Sequence, residues 1–69
     1  MVGYNGDREQ RMLRERELQI EYGLSIRESE VIAALESGER VTDISRRLGV
    51  SQQAITDSKR RALIKMAGQ

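Results

Sequence analysis

Val41-Thr42-Asp43-Ile44-Ser45-Arg46-Arg47-Leu48-Gly49-Val50-Ser51-Gln52-Gln53-Ala54-Ile55 is the stretch on which the fold turns. Val41, Ile44 and Leu48 fall on one side of a short helix over residues 41–48. Gly49 permits a sharp turn, because glycine takes positive φ at little cost. Val50 is apolar inside that turn and is placed to plug the core. Ser51 is a good N-cap for a further helix reaching Met66. The small Ser45 lets the two helices approach closely, and Ile55 locks the second against the first. These are the demands of two helices crossing steeply through a turn of three or four residues. The predicted helix-turn-helix spans Val41 to Met66. Its geometry pushes the N-terminal part of the second helix outward, in the manner of an element that enters a DNA major groove.

Upstream, Ser25 and Glu28 form an S-x-x-E capping box, each side chain satisfying a free N–H of the first helical turn. Glu28 and Glu30 also suit the positive end of that helix's dipole. Val31, Ala34 and Leu35 give the helix one buried face, and Gly38 stops it. Residues 1–6 carry two glycines, an Asn and no apolar periodicity, so they read as a flexible tail. Asp7 is then the expected cap of a charged helix over 7–22, ended by Gly23. Asp7–Arg11 and Arg11–Glu15 are opposite charges four apart, a spacing that supports a helix weakly. Met12, Leu13, Leu18 and Ile20 make its thin apolar stripe, too thin for a core. The helix must lean on the rest of the chain or on a partner. The last helix carries Ile55, Ala62, Leu63 and Met66 as its apolar positions, with Ser58 or Lys59 between. The fold class is all-α: a small helix-turn-helix bundle of three core helices over 24–69, plus the charged N-terminal helix.

Composition narrows the function. At 69 residues the chain holds one small domain, and a domain this size is marginally stable without a staple. Cysteine and histidine are absent, which removes disulfides, thiol chemistry and the commonest transition-metal ligands. No metal, cofactor or catalytic residue is expected, and an enzyme is not the reading: the glycines sit at helix ends and form no phosphate loop. No stretch nears the roughly 20 apolar residues of a membrane span, and the N-terminus lacks a signal peptide's apolar core, so a cytoplasmic protein is expected. Net charge is +1, unevenly spread. Residues 1–38 hold five Lys/Arg against eight Asp/Glu, a net −3; residues 39–69 hold seven against three, a net +4. A basic C-terminal half suits a polyanion.

Leu24-Ser25-Ile26-Arg27-Glu28-Ser29-Glu30-Val31-Ile32, then Gly38, then Ile44-Ser45-Arg46-Arg47-Leu48-Gly49-Val50-Ser51 resembles the LuxR/GerE-type helix-turn-helix. That family reads L-T-x-R-E-x-E-V-L, a Gly, then I-A-x-x-L-x-x-S at the same spacings. Lys59-Arg60-Arg61-Ala62-Leu63-Ile64-Lys65-Met66 is similar to the A-L-R-K-L ending of the related region 4 of bacterial sigma factors. The resemblance covers residues 24–67. Ser45 stands where the family has Ala, and Ala54 and Ser58 where the LuxR type commonly has Thr and His. The family's final helix, often its dimerisation surface, would lie beyond Gln69, and the charged N-terminal helix is an addition.

The resemblance implies that the exposed face of the last helix reads bases through Gln52, Gln53, Thr56, Asp57 and Arg60. The chemistry agrees in part: Gln pairs bidentately with adenine, Arg with guanine, and Thr meets a polar edge or a thymine methyl. Asp57 is repelled by DNA unless it accepts from a cytosine amino group or holds a neighbouring Arg. Arg46, Arg47, Lys59, Arg61 and Lys65 are phosphate candidates, as are Ser51 and the first N–H groups of its helix. The expected partner is double-stranded DNA, bound by a homodimer, because one reading helix covers only a few base pairs. The resulting function is a sequence-specific transcription regulator. Two other readings remain: a module docking on RNA polymerase or another regulator, and a DNA-recognition subunit of a larger viral assembly.

Overall fold

The computed structural model describes residues 3–68, with side-chain surroundings for residues 9–68. Four helices follow one another: α1 (Gly3–Tyr22), α2 (Ile26–Glu36), α3 (Val41–Leu48) and α4 (Gln52–Ala67), with no strand among the described residues. The three helices expected from residue 25 onward fall where the sequence puts them. α1 starts earlier than the Asp7 cap: residues 3–6 of the supposed tail are helical, while Met1 and Val2 lie outside the described residues. Once a helix is nucleated, adding a residue costs far less than starting one, so the glycines at 3 and 6 do not stop it.

α2 is the central element. Its N-cap Ser25 closes the capping box, with Glu28 N–H donating to Ser25 Oγ at 3.1 Å and Ser25 N–H to Glu28 Oε1 at 3.0 Å. One side of α2 carries Val31 and Ala34 into a cluster with Ile44 and Ile55, flanked by Leu35, Val41, Leu48 and Val50. The other carries Ile32 and Ala33 into a second cluster with Leu18, Leu24 and Ala62, flanked by Tyr22 and Met66. The sequence predicts only the first of these faces. α2 therefore works as a helix buried on two sides, separating the helix-turn-helix core from the α1 contact.

The expected α1 stripe is corrected. Leu18 is fully buried, but Met12, Leu13 and Ile20 are 62%, 62% and 78% exposed. The packing row is Arg11, Arg14, Leu18 and Tyr22, at helical spacing but of mixed type. α1 runs antiparallel to α2, so the upper part of this row meets the C-terminal end of α2. There Arg11 donates to Ser37 Oγ at 2.8 Å and to Glu39 Oε2 at 3.0 Å. Arg14 clasps Glu36 with two bonds of 2.9 and 3.1 Å, and its guanidinium is held charged by that carboxylate. Cations suit a helix C-terminus, and arginine stems cover apolar surface while the heads stay wet. Arg11 is thus committed to Glu39, 28 residues away, and not to Glu15. Gln19 completes the contact by donating to Ser29 Oγ at 2.8 Å.

Candidate nucleic-acid interface

The corner between α3 and α4 is built as its residues require. Gly49 has φ of 71°, in the left-handed region, and Val50 N–H donates back to Ser45 C=O at 3.0 Å. This Schellman-type closure satisfies a carbonyl that the helix end would leave free. Ser45 is buried, and its hydroxyl donates to Thr42 C=O at 2.8 Å, so the polar atom costs nothing in the tight crossing. Ser51 then caps α4, accepting from Ala54 N–H at 3.0 Å.

α4 has a sharply divided surface. Ile55, Ser58 and Ala62 are buried and Met66 is half-buried, a row at spacings of three and four. Of the two candidates for the position between Ile55 and Ala62, Ser58 fills it and Lys59 is exposed. Leu63 then lies about 100° off the row at 3.6 residues per turn. It is exposed, which corrects its assignment to the core. On the opposite side Gln53, Thr56, Asp57 and Arg60 form one outward row, with Gln53 and Arg60 exposed and Thr56 and Asp57 half-buried. Gln52, also exposed, flanks this row. Within it, Gln53 Nε2 donates to Asp57 Oδ1 at 3.0 Å, and Arg60 lies 4.0 Å from the same oxygen. Asp57 is therefore a tether between two prospective base readers. C-terminal to Arg60 the same side becomes apolar, through Leu63 and Ile64.

The basic residues separate into two groups. Arg46 and Lys59 are exposed and form no ion pair with another described residue. Arg47, Arg61 and Lys65 already have carboxylate partners. Arg47 donates to Glu39 Oε1 at 2.7 Å, so Glu39 joins α3 to Arg11 of α1. Arg61 lies 3.5 Å from Glu28, and Lys65 donates to it at 2.8 Å. Arg61 and Lys65 thus edge the α2 side of α4 and do not join the outward row. Burial pushes the Glu28 and Glu39 carboxyls up, but their hydrogen bonds and cationic neighbours win: Lys65, Ser25 N–H and Arg61 for Glu28, Arg47 and Arg11 for Glu39. Both are held below the usual carboxylate range. Nothing in the sequence pattern marks Lys65 as Glu28's partner; the capping box alone identifies Glu28 as structural.

Among the described residues no helix is long and apolar enough to cross a membrane, and no cluster of acidic side chains is arranged to hold a metal ion. A family model described as bacterial regulatory proteins, luxR family (GerE), matches residues 22–68, more than half of the chain. No curated protein and no solved structure matches the chain at a comparable level. The family match begins at Tyr22, the last residue of α1, so nearly all of α1 lies outside it.

Proposed function

The chain belongs to the luxR family of bacterial regulatory proteins, helix-turn-helix domains that bind DNA, and from that premise we propose that it is a sequence-specific transcription regulator reading the major groove with α4. The observation that carries this reading is the division of α4. One side is spent on the core, while Gln53, Thr56, Asp57 and Arg60 face outward in a single row, starting at the first turn of a capped helix. Gln53 and Arg60 have the donor patterns that match adenine and guanine edges. Gln52 extends the row at its N-terminal end. Arg46 and Lys59 are the best phosphate contacts, since neither is ion-paired with another described residue; such contacts give affinity and register without sequence choice. Ser51 keeps its hydroxyl proton for a phosphate after capping α4. Arg47, Arg61 and Lys65 contribute long-range field more than direct contact. A regulator of this kind works in the cytoplasm, beside the bacterial chromosome.

Selection of bound sequences from random duplex DNA tests the proposal, repeated with Arg60→Ala and Gln53→Ala. A motif should emerge with the native chain, and each substitution should relax it at one position. No enrichment over the starting pool, at low and moderate salt alike, would remove the sequence-specific reading.

A further inference from the structure

α1 wears its apolar residues on the wrong side for a helix that only packs on its own domain. Met12, Leu13 and Ile20 are all more than half exposed, while the row facing α2 is led by two arginines. At about 100° per residue, Glu9, Met12, Leu13, Arg16 and Ile20 fall within one arc of about 100°, turned away from Leu18. Glu9 and Arg16 form no ion pair with any other described residue. We propose that this face binds the same face of a second copy of the chain, α1 against α1, antiparallel about a two-fold axis.

The order of the residues selects that occupant and that direction. Reversing the helix lays Glu9 on Arg16 and Met12 on Leu13, so the centre of the face is complementary to itself. Two apolar contacts lie across the axis, with an ion pair on each side. The same register lays Gly3 on Tyr22, the two ends of the helix, so the pair overlaps along its whole length of about 30 Å. A parallel arrangement would set Glu9 against Glu9 and Arg16 against Arg16. An isologous contact needs a patch complementary to itself under a two-fold, and this arc is one. It shares no residue with α3 or α4, so pairing spends none of the outward row. One face of a single helix is a small interface by the standards of stable complexes, so the dimer is concentration-dependent.

Sedimentation equilibrium of the full chain, without DNA, tests this independently of any DNA contact. The native chain should shift from monomer to dimer with concentration. Leu13→Glu should remain monomeric over the same range with an unchanged thermal melt, since the side chain touches no core. Glu9→Arg and Arg16→Glu should each weaken the dimer about threefold or more, within the range of exposed ion pairs, and the double substitution should recover native association. A monomer at every concentration would overturn the proposal. So would a double variant as weak as either single one, or association abolished by Leu63→Glu but untouched by Leu13→Glu, which would move the contact to α4.

Discussion

The ammonium of Lys65, near the end of α4, lies 2.8 Å from the carboxylate of Glu28, in the first turn of α2. The Glu28 side chain is only 6% exposed, and one of its oxygens also closes the capping box at Ser25. A single carboxylate therefore fixes both where α2 starts and how the far end of α4 lies against it. Glu28→Ala removes the cap bond and leaves Lys65 unpartnered, and should cost about 1–3 kcal/mol in urea unfolding. Glu28→Gln keeps an acceptor for Ser25 N–H and should cost less. Lys65→Ala should cost less than Glu28→Ala, because the half-exposed ammonium is screened by water.

Acid should unfold this protein through the same carboxylate. Glu28 and Glu39 are both held below the ordinary glutamate value of about 4.3. A carboxyl whose folded value is depressed contributes stability above its unfolded value, and that stability is lost as pH falls through the folded one. Glu15 runs the other way: burial, then the nearby Glu30, raises it, so its protonation relieves the fold and offsets part of the loss. Melting temperature should hold from neutral pH to about 5 and drop below about 4. In Glu28→Gln the drop should be shallower. An equal drop in that variant would show that other groups carry the acid sensitivity.

Leu18 and Leu13 make a direct test of which side of α1 packs. Leu18 is fully buried, and Leu18→Ala should cost about 2–5 kcal/mol, enough to unfold much of so small a domain at room temperature. Leu13→Ala should change unfolding free energy by less than about 0.5 kcal/mol in dilute solution, as exposed substitutions do. Equal losses in the two variants would restore the apolar stripe as the packing face.

That contrast shows where the sequence was readable. The helix-turn-helix was legible because each of its signals has a local cause: Gly49 for positive φ, Ser51 for a cap, Ile44 and Ile55 at core spacing. The outward row of α4 was legible for the same reason, since a helix with one buried side must present the other. The α1 packing row was not, because its spacing is helical while its chemistry is ionic, and its anchors Glu36 and Glu39 lie more than twenty residues away. Arg61 and Lys65 look like free phosphate ligands in sequence, and only the return of α4 past α2 puts them on Glu28. The choice between Ser58 and Lys59 stayed open in the sequence because both fall between Ile55 and Ala62 at helical spacing; the structure buries Ser58.

Gly49 can be separated from simple packing. A Cβ added there would meet no atom within 4 Å, so backbone conformation alone resists substitution. Gly49→Ala should cost about 1–2 kcal/mol, the penalty of a left-handed L-residue. Gly49→Asn should cost less, because asparagine tolerates that region better. DNA affinity per folded molecule should stay near native in both. If alanine proves no worse than asparagine, the turn is not held by that dihedral angle.

Asp57 decides whether the outward row discriminates among sequences or merely adheres. A carboxylate on a surface that approaches phosphates is repelled, so it should weaken binding to every duplex alike. It also accepts from Gln53 and lies near Arg60, limiting the rotamers of the two side chains best suited to bases. Asp57→Ala removes both effects. Affinity for random duplex should rise, because a repulsive charge is gone. The ratio between a selected site and random DNA should fall about tenfold, within the range of one good base contact. Lys59→Ala gives the opposite pattern: weaker binding to all sequences, an unchanged ratio, and a salt dependence shallower by about one phosphate contact. Titrations of the selected and random duplexes at several salt concentrations distinguish the two. If Asp57→Ala weakens random binding, the carboxylate does not face the phosphates, and α4 lies on DNA by some other side or not at all.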